Sequence, residues 1–358
     1  MKLISLITAF SLISSLVEAG NGRKFTTIQP DLTEIRKAQA TAQPYEFKEE
    51  YVPGKVFDRF YNIWLENTNY DKAAGEPHMK ALRKKGITLT NYWSVTHPSQ
   101  PNYLASVAGD YFGLDHDKFV RMPANVTTLA NLLGAKGISW GEYEEHSPYP
   151  GFQGFNFSNQ ETYANDYVRK HNPLILMDVI TSNETQLSKI KNFTDFEHDL
   201  EAKKLPQWSF ITPNMTNDGH DSTIKVAGTW SKNFLEPLLK NDYFTEKTLV
   251  VLTFDENESY KEPNRVLAIL LGDIPDDLKG TEDDTFYDHY SLISTVQENW
   301  DLPKLGRNDC CANVFKIVAD KTGYENIKVG MDGVYNNRSV EGWFSDKHIP
   351  LPPPHCCG

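Results

Sequence analysis

Residues 248–256 read TLVVLTFDE. An uncharged run of β-branched, aliphatic and aromatic residues ends abruptly in two carboxylates. Such a run suits a strand buried on both faces, as in a parallel sheet covered by helices. Asp255 and Glu256 then stand at the strand's carboxyl end, where open α/β sheets bind their ligands. Buried charges there are costly unless water or a cation neutralises them. A hard divalent ion with oxygen ligands would do so, with Glu66 and Asn67 as further donors. Taken alone, the pair is explained somewhat better by a solvated strand end or by acids capping a helix.

The same texture recurs on both sides of this stretch. Strand-like runs fall at 59–66 (RFYNIWLE), 86–93 (GITLTNYW), 137–143 (GISWGEY), 207–212 (QWSFIT) and 265–272 (RVLAILLG). Helix-like runs fall at 73–85, 101–109, 126–136, 227–240 and 290–300. This alternation predicts an α/β three-layer sandwich with a mainly parallel central sheet. Polar residues gather after the strands: Glu66-Asn67, then Ser99, then Asp218, His220 and Asp221, then Asp255-Glu256.

The chain has 358 residues and 39% hydrophobic content, enough for a large core. Its net charge of -12 argues against nucleic acid as a partner, which needs a basic surface, but leaves room for small phosphorylated substrates. MKLISLITAFSLISSLVEAG has the charged start, short apolar core and small-residue end of a cleavable secretory signal, and is shorter than a stable membrane anchor requires. The expected division is a signal over 1–19, an arm over 20–54, one catalytic domain over 55–310 and a tail over 311–358. Export to the medium or cell wall agrees with seven glycosylation acceptors. These are Asn125, Asn156, Asn183, Asn192 and Asn337, with Asn214 and Asn257 inside the proposed site loops. The four cysteines form two adjacent pairs, Cys310-Cys311 and Cys356-Cys357. Neighbours seldom bond each other, so either cross-pairing would pin the tail, with a metal site at His355–Cys357 as the alternative.

Ser99 lies between Pro98 and Pro101 at a strand-to-helix junction. A serine there can cap the helix, or be presented to an anion held at the helix start. In the second case it is a nucleophile toward phosphorus, and Asn102 could donate to a phosphoryl oxygen. His220 (NDGHD) and His289 (DHYS) have neighbouring acids suited to orienting a proton donor. Lys170 and His171 form a cationic pair suited to phosphate oxygens, and Asp221 belongs to the same substrate-binding set.

The set WLEN, THPSQPNYLASVAGD, ISWGEY, VRKHNP, QWSFITPNMTNDGHD, LTFDENE and DHYSLISTVQENWDLPKLGR, running from about 58 to about 308, resembles the secreted fungal acid phosphatases. These belong to the phosphoesterase family that also holds bacterial phospholipases C, within the alkaline-phosphatase-like superfamily. The resemblance implies Ser99 as nucleophile and Glu66, Asn67, Asp255 and Glu256 as ligands of one divalent metal ion of unspecified identity. It implies His220 and His289 near the phosphate or leaving group, and Lys170-His171 as substrate contacts. The expected reaction is monoester hydrolysis through a phosphoseryl intermediate with an acidic optimum. The rivals are a phospholipase C-type diesterase and a secreted glycoprotein that keeps the fold without catalysis. The oligomeric state is not addressed by the sequence.

Overall fold

The computed structural model describes residues 18–19, 23–24, 29–48, 51–330, 336, 340–347 and 349–351. The proposed signal core, Asn337, Cys356 and Cys357 lie outside them. Cys310 ends a short turn, Asn308–Cys310, with Cys311 next to it.

The central sheet has eight strands among the described residues. In chain order they are Arg59–Leu65 (β1), Ile87–Leu89 (β2), Trp140–Glu144 (β3), Ile190–Asn192 (β4), Trp208–Thr212 (β5), Thr248–Phe254 (β6), Ala268–Gly272 (β7) and Glu282–Asp283 (β8). Across the sheet the order is β8-β2-β7-β6-β1-β5-β3-β4. Only β7 runs against its neighbours, β6 and β2; the remaining pairs are parallel. All seven residues of β6 are buried, as its unbroken apolar run requires.

Register assigns the two faces. Leu252, Ile63, Ile211 and Tyr143 pair across β6, β1, β5 and β3, and so share one side. On that side Tyr143 packs edge-on against Phe196 of helix Phe193–Glu201. Phe193 and Phe196 in turn meet Phe234 of helix Ile224–Leu238. On the opposite side Trp64 packs against Tyr103, from helix Ser99–Ala108, and against His289, the first residue of helix His289–Trp300. Helices therefore cover both faces, which makes the three layers.

Helix Ser99–Ala108 is buried along its whole length, so a run of small and uncharged residues suits it better than an amphipathic stripe. Gly109 ends it with φ 74°, a left-handed conformation that glycine adopts without strain.

Three local expectations change. The helix-like run over 73–85 divides into Tyr70–Gly75 and Pro77–Arg83, because Pro77 starts a helix more readily than it continues one. The polar arm contains a helix, Leu32–Gln39, whose Ile35 is buried with Phe152 and Tyr167. The edge strands β4 and β8, three and two residues long, are too short to give a periodic signal.

Candidate active site

The site forms where three neighbouring strands end. Glu66 follows β1, Asp255-Glu256 follows β6, and the loop carrying Asp218 and His220 follows β5. Because β1 lies between the other two, residues far apart in sequence become neighbours. Asp255 N–H donates to the Leu65 carbonyl at 3.1 Å, and Glu66 N–H to the Asp218 carbonyl at 2.9 Å.

Glu66 is the hub. Its Oε2 accepts from the Ser99 hydroxyl at 3.1 Å, and its Oε1 accepts from the Tyr103 hydroxyl at 2.6 Å. His171 Nε2 lies 3.2 Å from the same Oε1, and His171 Nδ1 lies 3.5 Å from Asp218 Oδ2. The Tyr103 ring stacks on His171 at 5.1 Å, holding the imidazole flat. Ser99 is not a cap: Pro98 occupies the capping position, Ser99 is the first helical residue, and its hydroxyl turns to a carboxylate instead.

Beyond this hub, Lys170 Nζ lies 3.1 Å from Asp117 Oδ2 and 3.3 Å from His220 Nε2. His220 Nδ1 meets Asp221 Oδ1 at 2.7 Å, and the His220 side chain is 28% exposed, so its ring stands at an opening to solvent. Gly219, with φ 105°, makes the turn that presents this histidine.

Electrostatics here are dominated by burial. It raises the pKa of Glu66 even though Lys170, His220 and the Tyr103 and Ser99 hydrogen bonds pull the other way. Burial, then the charge of Glu66, pushes Asp218 and Asp255 well up, and burial raises Glu256 too. His171 is driven well down by burial and by its cationic neighbours Lys170 and His220. Burial opposes the charge on Lys170, but Glu66 and Asp117 win and raise it.

This acid-rich pocket has unsatisfied atoms. Both Asp255 carboxylate oxygens, Asp218 Oδ2 and His171 Nε2 are buried without a hydrogen-bond partner. Glu66, His171 and Asp218 bring donor atoms within 4.8 Å of one another and could hold a metal ion. Orphaned carboxylate oxygens with one imidazole form a donor set that fits a divalent cation.

The expected ligand set is therefore redistributed. Glu66 and Asp255 belong to this pocket, and half-buried Asn67 follows Glu66. Glu256 is engaged by His97 Nδ1. His171, expected to touch substrate, lies instead among the potential metal donors, and Asp218 joins it. Asp218 was visible in NDGHD but had been given no task.

Three further expectations need correction. Asn102 has no capacity left for a phosphoryl group. Its Oδ1 accepts from Val95 N–H and Thr96 N–H, and its Nδ2 donates to the Thr96 and Pro98 carbonyls. It shapes the loop that carries Ser99. His289 is 0% exposed; its Nε2 donates to the Asp255 carbonyl at 2.6 Å, and its Nδ1 accepts from Tyr92. Burial lowers its pKa to about 3, so it is a neutral brace for Asp255 and no proton donor. Asp221, expected to bind substrate, has its Oδ1 on His220 Nδ1 and so orients that ring. Tyr103, Asp117 and His97 were missed, since nothing local in the sequence marks their long-range partners.

The two sequons in the site loops are closed. Asn257 is 1% exposed and its Nδ2 donates to the Pro263 carbonyl. Asn214 is 5% exposed, with its Nδ2 3.1 Å from His146 Nδ1. Asn125 and Asn183 are exposed, Asn156 and Asn192 half-buried.

A hydroxyl at a helix start, turned to a buried carboxylate, with a lysine and an oriented histidine acting on the same carboxylate, is an arrangement suited to attack on an anionic ester. The chain belongs to the phosphoesterase family, whose sequence profile matches residues 54–303. It is 57% identical over 350 residues to a "Probable acid phosphatase" of Kluyveromyces lactis, covering 98% of this chain and 83% of that protein. It is 55% identical over 333 residues to an "Acid phosphatase" of Aspergillus fumigatus, covering 92% and 74%. Among solved structures, a protein of Bacteroides thetaiotaomicron assigned to the sulfatases superposes with TM-score 0.51 at 12% identity, covering 76% of each chain. That likeness supports the fold, a three-layer sandwich around a mainly parallel sheet.

Proposed function

We propose that this chain hydrolyses small phosphate monoesters by transient transfer of the phosphoryl group to Ser99. Acid phosphatase activity is shared by relatives more than half identical over most of the chain, and the protein is a phosphoric monoester hydrolase of this kind. The observation that carries the mechanism is the Ser99–Glu66 hydrogen bond, which gives the attacking oxygen a base in place.

In the first half-reaction Ser99 Oγ bonds to phosphorus as its proton passes to Glu66. The bond from phosphorus to the ester oxygen breaks, and His220, entering as imidazolium held by Asp221, gives that oxygen a proton. Lys170 holds phosphoryl oxygens and is drawn from His220 Nε2 as it does so. In the second half-reaction water attacks the phosphoseryl group and gives a proton to His220. Ser99 leaves with the proton from Glu66.

Glu66, Asp218, Asp255 and His171 would hold a divalent cation. When bound, it supplies positive charge that lets an anion enter a pocket rich in carboxylates and favours ionisation of a nearby hydroxyl. Export belongs to the same reading and rests on the signal-like first 19 residues and the acceptor asparagines, and a disulfide-pinned tail rests on the cysteine pairs.

The test is p-nitrophenyl phosphate hydrolysis by wild type and Ser99→Ala across the acidic and neutral range. A loss on the order of 10³-fold or more in kcat supports the nucleophile. Retention of most activity rules it out.

A further inference from the structure

Asn264 lies on the loop between β6 and β7, is 0% exposed, and takes no part in the reaction above. Both hydrogens of its side-chain amide are used. Nδ2 donates to the Thr96 carbonyl at 2.8 Å and to the Asn336 carbonyl at 3.1 Å, and Oδ1 accepts from Asn257 N–H at 2.9 Å. Two carbonyls and one N–H around it leave the amide a single orientation. Thr96 stands three residues before Ser99, and Asn257 directly follows Glu256. One buried side chain therefore ties the loop that presents Ser99 to the loop that carries the carboxylates.

Ser94 closes the ring of contacts. Its N–H donates to the Asn264 carbonyl at 2.9 Å, its hydroxyl donates to the Asp255 carbonyl, and its own carbonyl accepts from Asn336 Nδ2 at 2.8 Å. Asn336 belongs to the C-terminal tail, beyond residues 54–303 that the family profile matches. Its φ of 52° is a left-handed conformation that asparagine tolerates better than most residues. The tail meets the chain again after the Ser99 helix, where Phe344 N–H donates to the Phe112 carbonyl at 2.9 Å. Gly342 permits that approach, since a side chain there would put its first carbon 2.3 Å from the Phe112 carbonyl carbon. The tail thus grips both flanks of the helix that begins at Ser99.

An in-line attack tolerates little error: a displacement of about 1 Å at the reacting atoms can cost on the order of 10²-fold in rate. The side-chain hydrogen bonds of Asn264 and Asn336, among the described residues, end on the loops whose spacing sets Ser99 against Asp255. None ends on Lys170, His171, Asp218 or His220. We propose that Asn264 and Asn336 form a clasp that positions Ser99 for attack, so that the C-terminal tail is part of the catalytic unit. Both are positioning residues, acting through the loop before Ser99, and the clasp rests on the reading of Ser99 as the point of phosphoryl attack.

The test uses the full chain, with p-nitrophenyl phosphate as substrate and inorganic phosphate as a calorimetric ligand. Asn264→Ala lowers kcat/KM by about 10- to 100-fold, while phosphate binds with unchanged Kd and stoichiometry. Asn336→Gly suits the positive φ and removes only the donor to Ser94. It lowers kcat/KM by about 2- to 10-fold, as much as one hydrogen bond can supply, again with phosphate binding unmoved. This second variant gives the answer even where Asn264→Ala fails to fold. A clasp that serves stability alone leaves fewer sites that bind phosphate, each with the kcat/KM of wild type. That pattern, an unchanged kcat/KM in Asn336→Gly, or a loss of phosphate affinity equal to the loss of kcat/KM overturns the proposal. Failure of the Ser99 reading appears instead as persistent activity in Ser99→Ala with Asn264 and Asn336 intact, so the two ideas fail separately.

Discussion

The Ser99 hydroxyl donates to Glu66 Oε2 at 3.1 Å, while Tyr103, one turn further along the same helix, donates to Glu66 Oε1 at 2.6 Å. One buried carboxylate is thus held between the proposed nucleophile and a second hydroxyl on a helix with no exposed face. The second donor fixes the rotation of the carboxylate, so the oxygen facing Ser99 is preorganised.

The two histidines expected to share proton transfer should separate cleanly. His220→Asn lowers kcat by roughly 10²- to 10⁴-fold for esters with poor leaving groups. It costs much less in kcat/KM for p-nitrophenyl phosphate, whose leaving group needs no proton, whereas kcat for that ester still falls because the second half-reaction loses its proton acceptor. His289→Gln lacks that leaving-group dependence, because the buried neutral ring acts by holding Asp255. Steady-state rates over a series of substituted phenyl phosphates distinguish them. Equal leaving-group dependence in both variants contradicts the assignment.

Metal loading should be visible without assaying turnover. Both carboxylate oxygens of Asp255 are buried without a hydrogen-bond partner, so Asp255→Asn relieves a desolvated carboxyl group in the metal-free protein. Metal-free Asp255→Asn is expected to melt at or above metal-free wild type. A saturating divalent cation stabilises wild type by about 2.7 kcal/mol at 100 times its Kd and raises the variant's melting temperature far less. Equal shifts in the two proteins count against Asp255 as a ligand.

Glu142 and Glu144, one strand pair away on β3, predict a pH effect on stability. Both are buried, and burial drives both carboxyl pKa values well up, with the charge of Glu142 adding to the shift of Glu144. A carboxyl whose folded pKa is raised binds more protons folded than unfolded. Its contribution is therefore complete in acid and is lost as pH rises above the unfolded value of about 4.3. Thermal unfolding from acid to neutral pH should show stability falling with pH. Glu142→Gln, which keeps a carbonyl for the Leu174 N–H, flattens that slope and raises neutral-pH stability. A slope unchanged in the variant removes Glu142 from the explanation.

Glycan mapping offers a test independent of catalysis. Asn214 and Asn257 are closed by burial and by their own hydrogen bonds, so both peptides should be unmodified in folded protein from a glycosylating host, while Asn125 and Asn183 are exposed. Full occupancy at Asn257 would mean that its loop differs from the one described.

The strands and their polar ends were legible because each carries its information locally. The run before Asp255 is apolar without interruption, and parallel strands deliver their following residues to one edge of the sheet. Pair relations were less accessible. Asn102 and Ser99 are three residues apart and equally polar, yet one braces a loop and the other faces Glu66; the contacts that separate them are set by the folded loop. His289 and His220 both sit beside aspartates. Only burial under Trp64 and Tyr92 makes the first a structural brace. Tyr260 lies in a sequon-bearing polar loop, and its stacking on His97 spans more than 160 residues of chain.

If phosphoryl transfer passes through Ser99, rapid acid quench during turnover of a good monoester traps the phosphate on that side chain. Peptide mass spectrometry of the quenched enzyme should find phosphate on Ser99 in His220→Asn given an activated ester, where water's proton has no acceptor and the second half-reaction is slowed. Ser99→Ala should carry none. Active enzyme that never carries phosphate on Ser99, with Ser99→Ala still turning over, would contradict the account.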